Sequence, residues 1–289
     1  MKRILIPASI AATGMLAAVV YAGTDPALVT SIDAGPSTAA YLQFNEIFTG
    51  DWQQYGELFT SLQANLFSRI FLLVVTLVPV IFFFHYLAIG PKKFDHSGPQ
   101  VYYFNLFARI IHWLAAISFS LLVITGLLVI LGKMLGGGAV IRNGRSVHIL
   151  AAIIFTISAV PMFLMWLKDM LPALCDIKWL FIMGGYLSKK KSPVPAAKFN
   201  AGQKMWFWLA TLGGFVMAYT GYFLWNFQAS VDNLRLMVII HNFLGAALTA
   251  LFLVHLYMSL FAIAGSLGSM ISGYKSQEEI DILHSRYKP

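Results

Sequence analysis

The sequence predicts an all-α integral membrane protein, built as a bundle of transmembrane helices. Hydrophobic residues make up 58% of the 289 residues, charged residues only 11%, and the mean hydropathy is +0.73. Five apolar stretches have the length that a helix needs to cross a bilayer. Because only helices and closed barrels satisfy their backbone groups in lipid, and these stretches are too continuous for barrel strands, we expect helices.

The chain begins with a segment, residues 1–22, that is typical of a secretory signal. Lys2 and Arg3 precede a mostly apolar run, and Val20-Tyr21-Ala22 suits a small-residue cleavage site. The alternative is an uncleaved anchor helix. Residues 23–65 carry five acidic residues and no Lys or Arg, and we expect them in the periplasm. The predicted transmembrane stretches follow at Leu66–Ile89, Leu106–Leu131, Val147–Leu167, Met205–Phe227 and Leu236–Leu267.

The loops between these stretches indicate the orientation of the chain. If residues 23–65 lie outside, the loop at Lys92, the long loop Lys168–Lys204 and the C-terminal tail lie inside, and they hold most of the loop lysines. The opposite loops hold only Lys133, Arg142, Arg145 and Arg235. Positive charges favour the cytoplasmic side, so we expect a multi-pass protein of the bacterial inner membrane, with a periplasmic mature N-terminus and a cytoplasmic C-terminus. The net charge of +8 therefore does not indicate nucleic-acid binding.

Two histidines on the last stretch, His241 and His255, are fourteen residues apart. This spacing is close to four helical turns, or roughly 21 Å, so both side chains share one face and lie near opposite sides of the membrane. The predicted topology places His148 at the depth of His241, and His112 at the depth of His255. A histidine in lipid needs a partner. Four at two matched depths predict two six-coordinate b haems, each held by a histidine pair; the alternative is four buried histidines bonded to neighbouring carbonyls or hydroxyls.

Arginines and glycines lie near these histidines. Arg109 and Arg145 each precede a histidine by one turn, and Arg235 precedes His241 by six residues. Guanidinium groups suit the two haem propionates, although arginines at helix ends also face lipid headgroups. Gly126 and Gly221 would let a macrocycle approach the backbone, or would let helices pack closely. The remaining histidines, His85, His96 and His284, are expected at the membrane interface or in solvent.

A polar motif, Phe199-Asn200-Ala201-Gly202-Gln203-Lys204, lies at the predicted cytoplasmic edge, on the side of His112 and His255. The amides of Asn200 and Gln203 can hydrogen-bond a quinone carbonyl, and Gly202 leaves room for a ligand near the backbone. Trp206, Phe207 and Trp208 can form apolar walls. By spacing alone, the same residues would also make a helix cap followed by an aromatic belt.

The run Phe199–Trp208, followed by His241, His255 and then Leu256-Tyr257-Met258, resembles the gamma subunit of respiratory formate dehydrogenases, the cytochrome b subunit of the membrane-bound complex. The surroundings of His112 (Arg109-Ile-Ile-His112-Trp113) and of His148 (Gly144–His148) are similar too. The resemblance covers roughly residues 102–275. The histidine pattern also occurs in cytochrome b subunits of nickel–iron hydrogenases.

This resemblance implies a four-helix diheme core at 102–275, with two b haems and a menaquinone site. His112 and His255 would hold the cytoplasmic haem, and His148 and His241 the periplasmic haem. Asn200, Gly202 and Gln203 would line the quinone pocket. The partners implied are an iron–sulfur beta subunit and a catalytic alpha subunit with a molybdenum or tungsten pterin. Residues 66–101 form an extra helix and loop outside the resemblance, and 276–289 a short polar tail without an assigned function.

The resulting prediction is an electron conduit from a periplasmic iron–sulfur partner through two haems to menaquinone, with no formate chemistry in this chain. A cytochrome b subunit of a hydrogenase or of another periplasmic dehydrogenase is one alternative. A non-redox transporter or anchor is the other, although the five apolar stretches hold no Asp or Glu of the kind that proton-coupled carriers use. The single cysteine, Cys175, excludes an internal disulfide and a cluster held by this chain alone.

Overall fold

The computed structural model describes residues 55–288. Five helical spans in it are long and apolar enough to cross a membrane. They run over Phe67–Ala88, Leu106–Ile130, Ala139–Trp166, Ala201–Asn226 and Val231–Ala262. The all-α membrane bundle predicted from the sequence is thereby confirmed. The signal-like segment 1–22 and residues 23–54 of the acidic segment lie outside the described residues.

Most elements follow one another with short connections, apart from residues 89–99 and 186–200. Two short strands, β1 (Gln100–Tyr102) and β2 (Tyr274–Ser276), accompany the helices. The helices are α1 (Gly56–Ser61), α2 (Phe67–Ala88), α3 (Leu106–Ile130), α4 (Ala139–Trp166), α5 (Leu174–Phe181), α6 (Ala201–Trp208), α7 (Gly214–Asn226), α8 (Val231–Tyr257), α9 (Gly268–Ser272) and α10 (Gln277–Leu283). Wide π-helical turns at Leu62–Leu66, Leu209–Gly213 and Met258–Ala262 continue α1 into α2, α6 into α7, and α8 beyond its end.

Several helices begin at a polar residue that satisfies a free backbone N–H. Asn105 accepts a hydrogen bond from the N–H of Ala108 at the start of α3. Ser230 does the same for Asn233 at α8, and Ser276 for Glu279 at α10. Such caps fix where a helix starts, because the first turn has no partners of its own. They place the histidines of α3 and α8 at defined depths.

Aromatic side chains fill the centre of the bundle between α3, α4, α6 and α8. Phe119 contacts the rings of Phe155, Trp206 and Phe252 at centroid distances of 5.1–5.4 Å. Gly214 lets α7 approach α4, because a Cβ there would lie 2.7 Å from the Phe155 ring. Small residues at helix contacts are the usual way to bring helices together in lipid, where burial from water gives no driving force.

The extra helix α2 packs along α8. Phe67 meets Phe243 at 5.1 Å near one end, and Phe82 stacks on Tyr257 at 4.2 Å near the other. His85 makes two hydrogen bonds: its Nε2–H donates to the Tyr186 carbonyl (2.9 Å), and its Nδ1 accepts from the Tyr257 hydroxyl (2.6 Å). Helix α2 begins at Phe67, one residue after the expected Leu66, and the π-helical turn joins it to α1, which starts at Gly56. The outward face of α2 is apolar and exposed, as a lipid-facing helix requires.

The C-terminal residues form an ordered cap on one end of the bundle, here called the tail end. Strand β2 pairs antiparallel with β1, with Gln100 opposite Ser276. Lys275 and Glu279 make a buried ion pair of 2.5 Å. His284, which we expected in solvent, is only 2% exposed, and its Nδ1 pairs with the Ala197 carbonyl at 2.8 Å. Burial lowers the pKa of His284 to about 3, so the imidazole is neutral.

Candidate functional site

The structure brings the four candidate ligands together in two pairs. His148 of α4 faces His241 of α8, with ring centroids 6.4 Å apart and ring planes at 57°. His112 of α3 faces His255 of α8 at the same 6.4 Å and at 58°. The His112–His255 pair is nearer the tail end, because His112 lies early in α3 and His255 at the last turn of α8. The pairing expected from helix depth is therefore the pairing in the fold.

The separation within each pair suits a metal between the rings. Two bonds of about 2 Å from a metal to imidazole nitrogens, added to the half-widths of the two rings, span about this distance. Within residues 55–288 there is no group of three or more His, Cys, Asp or Glu side chains that could hold a metal ion. Each pair offers two imidazole nitrogens, so it could hold a metal only together with a group that supplies the remaining ligands. A haem is such a group.

Two threonines set the tautomer of the His148–His241 pair. Thr125 Oγ1 lies 2.9 Å from His148 Nδ1, and Thr220 Oγ1 lies 2.8 Å from His241 Nδ1. Each threonine donates its own proton to a backbone carbonyl four residues earlier, at 2.6 Å and 2.9 Å. The hydroxyl oxygen must then accept from Nδ1–H, which leaves Nε2 with a lone pair. A neutral imidazole in this state is the form that binds iron.

Glycines follow both threonines and face the same rings. A Cβ added at Gly126 or Gly221 would lie 3.5 Å from Cε1 of His148 or His241 respectively. The sequence left open whether these glycines admit a macrocycle or pack helices together. In the fold both glycines lie against the histidine rings, at a distance where a Cβ would make an ordinary van der Waals contact. The Thr-Gly dipeptide, repeated on α3 and α7, is the signal that could have revealed these supports.

The His112–His255 pair has different surroundings. Trp206 of α6 stacks on His255, with centroids 5.4 Å apart and planes at 17°. In the part of the chain that the structure describes, His112 Nδ1 is buried and has no hydrogen-bond partner. The same holds for Arg109 Nε, one turn earlier on α3. A buried imidazole nitrogen and a buried guanidinium N–H without partners, one turn apart on α3, are consistent with a polar ligand nearby, since such groups are costly when left unpaired.

The three candidate arginines differ in their surroundings. Arg109 donates through Nη1 to the Ile271 carbonyl, which orients the guanidinium beside α3. Arg145 is exposed and lies over the Phe227 ring at 5.8 Å. Arg235 is only 1% exposed and forms an ion pair of 3.2 Å with Asp232, under Gly56 of α1. Arg235 therefore does not face lipid headgroups. Pairing of these arginines with propionates stays a prediction.

The polar motif forms a reciprocal cap at the start of α6. Asn200 Oδ1 accepts from the Gln203 N–H, and Gln203 Oε1 accepts from the Asn200 N–H, both at 2.9 Å. This cap uses the two side-chain oxygens and leaves both amide NH₂ groups as donors. Gly202 sits under Trp179, where a Cβ would approach the indole to 3.0 Å. The predicted helix cap is thus present. It leaves the amide donors available to a ligand, so quinone binding at this motif stays a prediction.

A buried ion pair next to this motif was missed from the sequence. Lys204 Nζ lies 2.8 Å from Asp176 Oδ2, and both side chains are largely buried. Asp176 also accepts from the Ala173 N–H, while its Oδ1 is buried without a partner within residues 55–288. The two residues are far apart in the sequence. The one sequence signal for the pair is a lysine in the first turns of a helix that continues as an apolar span.

Comparison with known proteins agrees with this geometry. Residues 103–273, which contain both histidine pairs, match the family model described as prokaryotic cytochrome b561. The chain is 30% identical over 190 residues to the cytochrome b556(Fdn) subunit of the nitrate-inducible formate dehydrogenase of Escherichia coli K12, covering 62% of this chain and 86% of that protein. It is 27% identical over 178 residues to the formate dehydrogenase cytochrome b556 subunit of Haemophilus influenzae, covering 58% and 73%.

The matched region begins just before α3 and ends at the last turn before β2. It leaves out α1, α2 and the tail cap, and it includes every candidate ligand. With a matching family model over more than half of its length and two facing histidine pairs at equal separation, the chain belongs to the prokaryotic cytochrome b561 family, whose members are haem b membrane proteins.

Proposed function

We propose that this chain is the diheme cytochrome b subunit of a membrane-bound formate dehydrogenase, passing electrons to menaquinone. The observation that carries the proposal is the arrangement of His241 and His255 on one face of α8, each facing a histidine of another helix at 6.4 Å. Two equal sites stacked along one helix suit transfer across the membrane. The names of the relatives favour formate over hydrogen as the source of the electrons.

The charges of the loops support electron transfer from the periplasmic to the cytoplasmic side. The tail end carries most of the loop lysines and would face the cytoplasm. The His148–His241 pair would then lie toward the periplasm, where an iron–sulfur beta subunit delivers electrons from a catalytic molybdenum or tungsten alpha subunit. When bound, the two b haems supply one-electron transfer between the faces. The protein residues hold the ligating nitrogens in place and, through the aromatic centre of the bundle, exclude water.

Menaquinone would bind beside His255, between α6 and the end of α8. Trp206 is an apolar wall against the His255 ring. The amide donors of Asn200 and Gln203 can bind a quinone carbonyl. Gly202, expected to leave room for the ligand, is instead covered by the Trp179 indole and lets that ring pack against the start of α6. Protons for the quinol would come from the cytoplasm. Reduction at this side by electrons from outside would move charge across the membrane.

The first test is a haem count on purified variants. A pyridine haemochrome assay of the wild-type chain should give two b haems per polypeptide. His255→Ala should lose one of them together with menaquinone-analogue reduction, because iron loses an axial ligand at the site nearest the quinone pocket. His96→Ala is a matched control, since that ring is exposed and bonds only the Ala264 carbonyl. Retention of both haems by His255→Ala would overturn the assignment, and a colourless wild-type protein would favour the non-redox alternative.

A further inference from the structure

The support for the His148–His241 pair is built twice in the same way. Thr125-Gly126 on α3 serves His148 on the following helix, and Thr220-Gly221 on α7 serves His241 on the following helix. Both hydroxyl groups are buried, with Thr125 4% and Thr220 1% exposed. Both donate to the carbonyl four residues earlier, so both oxygens are available as acceptors. The two histidines therefore donate Nδ1–H to equivalent partners.

Such a hydrogen bond changes the opposite ring nitrogen. Donation from Nδ1–H raises the electron density at Nε2 and makes it a stronger ligand. A stronger electron donor stabilises ferric over ferrous iron and lowers the reduction potential of the site. The effect is larger in a dry, low-dielectric setting such as the interior of this bundle. Two such bonds act on the same site here.

The His112–His255 pair has no equivalent support. No serine or threonine hydroxyl bonds either ring within residues 55–288, and His112 Nδ1 is buried without a partner. The two sites thus share one ring separation but differ in the hydrogen bonds behind the ligands. A difference in potential is the expected consequence.

We propose that Thr125 and Thr220 are positioning residues that lower the midpoint potential of the haem held by His148 and His241 relative to the haem held by His112 and His255. An electron delivered at the first site then passes to the second with a favourable driving force. One electron leaves one iron and reduces the other, and no bond or proton is exchanged. The inference rests on the proposed function, because it requires both sites to hold haem.

The test is a redox titration of the full, haem-loaded chain, followed in the α-band. Thr125→Val, Thr220→Val and the double variant should raise the lower of the two midpoints and leave the higher one in place, with the larger rise in the double variant. Thr125→Ser and Thr220→Ser keep the hydroxyl and should restore the wild-type value. Thr211→Val is the matched control, because Thr211 is buried and bonds the carbonyl four residues earlier, but has no hydrogen bond to a histidine.

The outcomes separate the inference from the proposed function. Two haems with unchanged or lowered midpoints in the double valine variant would overturn the role of the threonines. Fewer than two haems in the wild-type chain would instead contradict the proposed function. If the valine variants do not retain haem, His112→Ala shows which of the two sites has the lower midpoint potential. The haem that remains in it should have the lower wild-type midpoint, and a haem with the higher midpoint would overturn the inference.

Discussion

The side chains of Lys204 and Asp176 form an ion pair close to the start of α6, and each is more than four-fifths buried. Taking two charges out of water is costly, and their attraction offsets this only while both are present. Within residues 55–288, Asp176 Oδ2 accepts two hydrogen bonds, one from the Ala173 N–H and one from the Lys204 ammonium. Among the residues near the polar motif, we expect the removal of one partner of this pair to lower the free energy of unfolding most.

Lys204→Met should therefore destabilise the protein strongly, by about 3–5 kcal/mol, because it leaves a buried carboxylate without its counter-charge. Thermal unfolding of the detergent-solubilised chain would measure this. Lys191→Met is the control, since the Lys191–Glu278 pair has a similar separation (2.7 Å against 2.8 Å) but its side chains are 41% and 38% exposed, so its loss should matter little. Equal effects of the two substitutions would show that burial does not determine the strength of these pairs.

At the scale of elements, α6 begins at residues that can serve both the helix and a ligand. The oxygens of Asn200 and Gln203 close the first turn, and their NH₂ groups remain as donors. The helix then presents Trp206 to His255, two turns from the cap. A helix start that is fixed by its own side chains holds both the amide donors and the indole in register with α8.

Substitutions at Asn200 can separate these two roles. Asn200→Ser keeps a cap oxygen but removes the amide donors, so stability should change little while menaquinone-analogue reduction falls about 2–10-fold, the loss of one hydrogen bond. Asn200→Ala also removes the cap and should cost a further 0.5–2 kcal/mol or so in unfolding free energy. Unchanged quinone reduction in the serine variant would reduce Asn200 to a helix cap.

The whole molecule consists of a core that matches the family and two additions that pack onto it. The first addition, α1 and α2, covers α8 and encloses Arg235. We infer that α2 fills a place that an anchor helix of another subunit occupies elsewhere in the family. Crosslinks from α2 should then reach the core helices, and crosslinks only to lipid or to outer partners would remove this idea. The second addition is the tail cap, which joins β1, the long loop and α10 through Lys275, Glu279 and His284.

The tail cap should open as the pH falls. The pKa of His284 is about 3 in the folded protein, because burial and the nearby Lys275 disfavour the imidazolium, against 6.5 for a free histidine. The folded state therefore binds fewer protons than the unfolded one, and stability is lost as the pH decreases from about 6.5 towards 3. Hydrogen exchange of residues 274–284 should speed up over this range. His284→Asn should weaken the dependence, and an identical pH profile would contradict this role.

The sequence by itself determined the fold class, the five helices of membrane-spanning length within residues 55–288, and the placement of candidate ligands along them. These follow from properties local to one segment: apolar length decides what can cross a bilayer, and the helical repeat places His241 and His255 on one face. The burial of His284 was not predictable in this way, because its segment is polar and its partner, the Ala197 carbonyl, is remote in the sequence.

Only the tertiary structure decided which groups hydrogen-bond to the candidate ligand histidines. Thr125 and Thr220 are unremarkable in an apolar helix until α3 packs against α4, and α7 against α8, and brings their oxygens to within 3 Å of a histidine. Asp176 and Lys204 meet for the same reason. Helical periodicity orders residues within one element, whereas contacts between elements depend on how the helices pack. The sequence could therefore place the histidines along their helices. The different hydrogen bonds at the two sites depend on how the helices pack.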